Sequence, residues 1–279
     1  LKQKNDSSHV AFKPVNLYNY WAPVFDFRYN SDDGIMLGLG VKYTHNRGFR
    51  KSPYTYEQSF WALGSFNTGA VRLNYLGDWK RVIGNADLNV EARAYIPQNS
   101  QNFFGLGNGS TKDPEVARSY YRARFNLYDF EPSLKWQTDK HSSFKIGPAL
   151  QYYHMNTDNN EDRFILSGAA LGTYDSSTVD RDKLFVGFKA KYKRDNRDNP
   201  ILSTRGGYLE TEVLGYQGLN SYSKAFVQAK AEVGFNFGIA DNAIILANRT
   251  GGGVTFGKAA FYQSLFIGGH GNLRGYRGY

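Results

Sequence analysis

The sequence predicts an all-β chain: a transmembrane antiparallel up-and-down β-barrel with about eleven strands. Three observations carry this expectation. Apolar residues recur at every second position along most of the chain, the period of a strand rather than of a helix. Short turn-forming sequences alternate with long polar stretches, the rhythm of a barrel with tight turns at one end and long loops at the other. No run approaches the ~18 apolar residues that a membrane helix needs.

The strands follow in order. The first, near 18–29, places Phe25, Phe27 and Tyr29 on one face. The second, near 34–46, alternates Ile35, Leu37, Leu39, Val41 and Tyr43 with Gly38, Gly40 and Lys42. Two more lie near 56–66 and 69–82, and a fifth near 86–97 sets Leu88, Val90, Ala92 and Ala94 against Asn89, Glu91 and Arg93. In the sixth, near 120–137, the apolar row changes parity between Leu127 and Phe130, which predicts a β-bulge near Tyr128-Asp129. The seventh, near 143–155, alternates Phe144, Ile146, Pro148, Leu150 and Tyr152 with Lys145 and Gln151. The eighth, near 183–194, sets Leu184, Val186, Phe188, Ala190 and Tyr192 against Lys189, Lys191 and Lys193. The ninth lies near 206–216 and the eleventh near 243–255. The tenth, near 222–239, has the longest apolar row, from Ala225 to Ile239, opposite Lys224, Gln228, Lys230, Glu232 and Asn236; only Phe226 breaks the polar row. Turns such as Asn67-Thr68-Gly69, Gly84-Asn85 and Thr138-Asp139-Lys140 separate these runs, and longer polar stretches lie near 46–55, 98–119, 156–182 and 195–205.

Alternation alone does not say which face is wet. The apolar rows are long, and full charges of both signs fill the polar rows. Aromatics gather near strand ends, as at Trp21, Tyr43, Trp79, Tyr95, Trp136, Tyr152, Tyr192 and Tyr208, which suits interfacial girdles. These features favour a lipid-facing exterior over a soluble β-sandwich or repeat protein. The 279 residues contain no cysteine, so disulfides and cysteine metal sites are excluded. The net charge of +9 fits either nucleic acid or a polar lumen with headgroup contacts; the placement of the charges in strand rows supports the second. Eleven strands cannot close a single-chain barrel of even strand number, and an open edge is not tolerated in lipid. The expectation is therefore a partial barrel.

Two motifs carry a resemblance. The chain ends Phe266-Ile267-Gly268-Gly269-His270-Gly271-Asn272-Leu273-Arg274-Gly275-Tyr276-Arg277-Gly278-Tyr279. With its Gly268-Gly269 pair and its Leu273-Arg274-Gly275-Tyr276 element, this segment resembles the signature loop of the BamA/TamA-like superfamily of outer-membrane barrels, the bacterial surface antigen family. Upstream, Asp195-Asn196-Arg197-Asp198-Asn199-Pro200, followed by Ser203-Thr204-Arg205-Gly206, is similar to a second family motif, with Asp195, Arg197, Asp198, Asn199, Thr204 and Gly206 at its marked positions. Ser203 stands where the family has proline.

The resemblance covers the chain from about residue 20 onward and implies a sixteen-strand barrel in the outer membrane of a Gram-negative cell. The signature loop would follow strand eleven and fold into the lumen, so strands twelve to sixteen would lie beyond Tyr279. Residues 1–17 are expected to be a linker from an N-terminal domain, and 18–279 the partial barrel. Inside a lumen an arginine such as Arg274 requires a carboxylate, because an unpaired buried charge is costly. Glu210, Glu212 and Glu232 are lumenal candidates, with no pairing assigned.

The resemblance implies insertion or translocation of proteins at the outer membrane. The alternative is a barrel that anchors an N-terminal enzyme, a phosphoesterase or patatin-like lipase; Asn102-Phe103-Phe104-Gly105-Leu106-Gly107-Asn108 resembles loops of that branch. The implied partners are outer-membrane lipids, client outer-membrane proteins, and periplasmic or lipoprotein partners; no nucleic acid, cofactor or catalytic residue is expected. The histidines lack metal-ligand spacing, and no βαβ unit surrounds Gly105-Leu106-Gly107 to make it a phosphate loop.

Overall fold

A computed structural model describes residues 18–30, 33–47, 53–107, 110, 112–167, 173–199, 201–239 and 243–266. The expected linker at 1–17 lies outside them. The described residues form one antiparallel sheet in which eleven strands follow one another in chain order. They are β1 (Tyr20–Asn30), β2 (Gly34–His45), β3 (Tyr56–Ser65), β4 (Val71–Ile83), β5 (Ala86–Asn102), β6 (Arg122–Gln137), β7 (Ser142–His154), β8 (Lys183–Asp195), β9 (Gly206–Gly218), β10 (Phe226–Ile239) and β11 (Ile244–Gly257). At about 3.3 Å per residue, a strand of thirteen residues such as β7 spans roughly 43 Å, enough to cross a ~30 Å hydrocarbon layer while tilted.

The two faces differ as the alternation requires, and the apolar one points out. Phe25 is 75% exposed, Leu39 67%, Phe188 67% and Phe256 66%. So continuous an apolar exterior is foreign to soluble monomers and is the arrangement of a barrel solvated by lipid. The hairpins that join β2 to β3, β4 to β5, β6 to β7 and β8 to β9 lie at the end where β1 begins. Below, this end is called the lower end; the long β5–β6 and β7–β8 connections lie at the upper one. At the lower rim Trp21 and Tyr43 pack on one another with ring centroids 4.5 Å apart, and Trp136 lies 6.3 Å from Phe144.

Four details correct the sequence reading. There is no bulge at Tyr128-Asp129: Ala94 pairs with Tyr128 and Arg93 with Asp129 in unbroken register. The parity change has another cause. Ala123 and Phe125 point inward into an apolar cluster, whereas Glu131 and Ser133, further down the same inner row, meet charge. The inner face changes chemistry along the strand, and its side never changes. The register shift lies on β5 instead, where Tyr95 pairs with Leu127 but Asn99 pairs with Phe125, so Ile96, Pro97 and Gln98 oppose Asn126. Proline cannot extend a ladder as a donor, yet β5 resumes beyond it and ends at Asn102 rather than near 97. Finally, Tyr95 and Tyr208 are not girdle residues. Tyr95 lies under the Arg72 guanidinium, 5.7 Å from ring centre. Tyr208 donates its hydroxyl to Glu232 at 2.6 Å. Both belong to inner rows.

The apolar cluster fills the upper part of the inner face. It explains why Phe226, only 3% exposed, interrupts the polar row of β10. The segment after β11 turns inward to join it. Phe261 packs edge-on against Phe103 and Phe125 at 5.5 and 5.4 Å, and Tyr262 stacks on Tyr153 at 4.5 Å. Gln263 then donates to Gln151 Oε1 at 2.8 Å, while Gln228 donates to the Gln263 carbonyl at 3.0 Å. The segment Phe261–Gln263, which precedes Phe266, is thus fastened to β7 and β10 from within.

Candidate functional site

Gly268, Gly269, Leu273, Arg274, Gly275 and Tyr276 lie outside the described residues. The second motif is described except at Pro200, and it forms the turn between β8 and β9 at the lower end. Asp195 closes the last rung of β8. Its amide donates to the His141 carbonyl at 2.8 Å, which joins this turn to the neighbouring β6–β7 turn. Its carboxylate takes two bonds from Arg197, from Nε at 2.9 Å and Nη2 at 2.6 Å. The Arg197 guanidinium in turn lies 4.7 Å above the Tyr208 ring. A planar fork on a carboxylate, stacked on an aromatic face, is the geometry that arginine supplies and lysine does not.

Asp198 organises the rest. It accepts from the Thr204 hydroxyl at 2.6 Å, the Ser203 hydroxyl at 2.9 Å, and the amides of Asn199, Thr204 and Arg205 at 3.0, 3.0 and 3.2 Å. Asn199 turns the chain by accepting from the amides of Ile201 and Leu202 at 2.8 and 3.0 Å. Ser203 therefore contributes a hydroxyl bond that a proline at this position could not make. Gly206 adopts a φ of +100°, and a Cβ there would sit 2.6 Å from the Asn196 carbonyl oxygen, so both conformation and space require glycine. All six motif residues named in the sequence converge on one closed turn.

Hydrogen bonds, that of Thr204 foremost, hold the Asp198 carboxyl well below the usual carboxylate range. A depressed carboxylate stabilises the fold above its unfolded pKa of about 3.9, and the contribution fades as pH falls through the folded value. Asp198→Asn is expected to lower the thermal midpoint by a few degrees at pH 7. The gap to the unaltered protein should stay constant down to about pH 4 and shrink below it. A gap already shrinking near pH 6 would contradict this.

Above the turn the inner wall carries a linked row of charges. Glu131 on β6 is 8% exposed and receives Lys189 of β8 at 3.2 Å and Arg93 of β5 at 3.7 Å. Arg93 also meets Glu91 at 2.9 Å, and Glu91 pairs with Lys145. Lys189 lies 3.5 Å from Glu212, which reaches Lys230 at 3.9 Å. Glu210 pairs with Lys191, and Glu232 with Arg249. The three lumenal candidates thus face inward, each already against a cation of the wall. Sequence reasoning passed over Glu131 as a hub; its place in the inner row of β6 was the available signal.

Among the described residues no group of three His, Asp or Glu side chains could hold a metal. The arrangement consists of a latched turn, a charged wall and an apolar plug, and its chemistry is binding and bracing. A family profile described as the Omp85 superfamily domain matches residues 65–278. No curated protein matches the chain. Among solved structures, BamA from Haemophilus ducreyi lacking POTRA domains 1-3 is similar in fold, with a TM-score of 0.64 at 14% identity over 94% of this chain and 46% of that one. The chain therefore spans about half the length of that structure.

Proposed function

The chain belongs to the Omp85 superfamily, and from that premise we propose that it forms the wall of an outer-membrane barrel that inserts or translocates other polypeptides. The observation that carries this reading is the Omp85 profile match on a sheet whose outward rows are apolar, as at Trp21, Phe25, Phe27 and Tyr29 of β1. In this reading the first strand, when its seam with the closing strand parts, offers backbone donors and acceptors to an incoming strand, and an apolar outer row lets that strand enter lipid without leaving the sheet. The charged wall and the inward-fastened segment after β11 brace the sheet while one edge opens. The partners in this reading are unfolded outer-membrane proteins, periplasmic or lipoprotein helpers, and the surrounding lipids.

The test is client folding. The full-length protein, reconstituted in vesicles, is mixed with a urea-unfolded outer-membrane barrel protein. Folding is followed by the change in gel mobility of unheated samples. Folding at least several-fold faster than in protein-free vesicles is expected, and an equal rate would overturn the proposal.

A further inference from the structure

On the inner wall, three lysines stand side by side in one rung of the sheet. Register places Lys135 of β6 opposite Lys145 of β7, and Lys145 opposite Lys191 of β8. Lys193 follows two residues below Lys191 in the same inner row. Like charges directly across a ladder repel, and a local rule broken in this way points to a functional site.

The carboxylates that register offers these lysines are already taken. Lys135 lies opposite Asp87, which holds Lys80 at 3.0 Å and the Arg81 amide at 2.8 Å. Lys193 lies opposite Glu210, which pairs with Lys191. The field of Lys193 also reaches Asp195, which is closed in the Arg197 fork. Lys145 shares Glu91 with Arg93. Among the described residues neither Lys135 nor Lys193 forms an ion pair. Both sit near the lower ends of their strands.

Just above this rung the wall forms a cavity of about 260 Å³ between Lys145, Lys189, Lys191, Glu91, Glu131 and Glu212. That is smaller than the roughly 300–1,000 Å³ of small-molecule pockets, so it admits side chains of a partner rather than a whole cofactor. Its three glutamates repel a polyphosphate or a nucleic acid, which is negative throughout. A peptide differs: its carboxylates can meet the lysines while its backbone N–H groups donate to the glutamates. Spacing agrees. Lys191 and Lys193 are about 6.6 Å apart along β8, the interval between same-face side chains of an extended segment. The ends of this sequence have the wrong charge to be the occupant. Residues 267–279 carry Arg274 and Arg277 and no acidic side chain, and residues 1–17 carry three lysines against one aspartate.

We propose that Lys135, Lys191 and Lys193 form a docking site for acidic stretches of an extended client polypeptide, with carboxylates at alternate positions of the client on the lysines of β8. The site rests on the reading of the chain as a barrel that inserts or translocates polypeptides, and names the class of segment it takes. The hairpin end is the periplasmic end of such a barrel, where a client arrives. Surplus positive charge at that mouth also concentrates acidic segments before any close contact forms.

The experiment uses the full-length protein in detergent and a fluorescent peptide with glutamate at alternate positions, its binding read by anisotropy. The same peptide with glutamine in place of glutamate is the control. The glutamate peptide is expected to bind at least tenfold more tightly, and to lose most of that advantage at high salt. In Lys135→Gln/Lys193→Gln the advantage should shrink several-fold. The thermal midpoint of this variant should stay level or rise, because two repelling charges are gone. Equal binding of the two peptides, or equal preference in the unaltered and substituted proteins, would overturn the site. Displacement of the glutamate peptide by equimolar inorganic triphosphate would show a general anion site and overturn the peptide assignment. A lowered midpoint in the variant would show that another part of the full chain supplies carboxylates to these lysines, and would overturn the surplus charge on which the site depends. Client folding is followed on the same preparations. Accelerated folding without preference for the glutamate peptide refutes this proposal alone, whereas unaccelerated folding refutes the insertion reading and leaves the peptide comparison to decide the site.

Discussion

Glu131→Ala is expected to destabilise the barrel by about 2–3 kcal/mol, measured as denaturant unfolding of the full-length protein from vesicles. Glu131 is the acid shared by Lys189 and Arg93. Removing one partner of a buried pair costs about 3–5 kcal/mol when the remaining charge is left alone. Here the cations keep second partners, Lys189 in Glu212 and Arg93 in Glu91, so the loss falls somewhat below that range. A less buried pair on the same sheet provides the contrast. Lys42 and Glu57 lie 3.3 Å apart with side chains 34% and 25% exposed, and Glu57→Ala should cost less than about 1 kcal/mol. Equal effects of the two substitutions would refute the bracing role of the inner wall.

The wall is more than a set of neighbouring pairs. Register places Glu91 directly opposite Glu131, Lys145 opposite Lys191, and Glu210 opposite Glu232. Like charges directly across a ladder repel. They are reconciled by reaching past the nearest strand: Lys145 on β7 meets Glu91 on β5, and Lys189 on β8 meets Glu131 on β6. Strands two apart are thereby linked, which ties down shear between neighbours. A double-substitution cycle on Glu131→Ala and Lys189→Met should show a coupling of about 1–3 kcal/mol.

Which parts of this were legible in the sequence follows from period and reach. Alternation identifies a strand and its two rows wherever one row is apolar throughout, as in β8 and β10, and there the outward and inward assignments hold residue by residue. It fails where the inner row is itself apolar. Ala123 and Phe125 mimic a lipid-facing row, and their burial under Phe261 depends on a segment more than a hundred residues away. Tyr95 and Tyr208 fail for a related reason, since an aromatic near a strand end looks the same in sequence whether it meets lipid or an arginine. The turn at Asp195–Gly206 was legible because its bonds are local: Asp198 and its partners lie within seven residues. The salt links of the wall were not, because pairing across two strands depends on register and on which intervening side chain is small.

Gly147 is that small residue, and Gly147→Val is expected to cost about 3 kcal/mol, the upper part of the range for overpacking. A Cβ at 147 would sit 2.0 Å from the Pro132 carbonyl oxygen and 2.5 Å from Ser133 Cα. Both are backbone atoms, which cannot step aside as a side-chain tip can. The approach is close because the register carries Pro132 of β6 to Pro148 of β7, and the ladder between these strands is interrupted from Phe130↔Leu150 to Leu134↔Ile146. Neither proline has an N–H to donate, so packing rather than hydrogen bonding holds this stretch of the wall. The missing side chain also leaves the line open along which Lys189 crosses β7 to Glu131. Valine should therefore strain the backbone and block the ion pair together, so the Glu131–Lys189 coupling should vanish in a Gly147→Val background. Gly252→Ala, where an added Cβ meets nothing within 4 Å, should change stability by no more than about 0.5 kcal/mol. If the two glycine substitutions prove equally mild, β6 and β7 do not approach as described, and Lys189 reaches Glu131 by some other route.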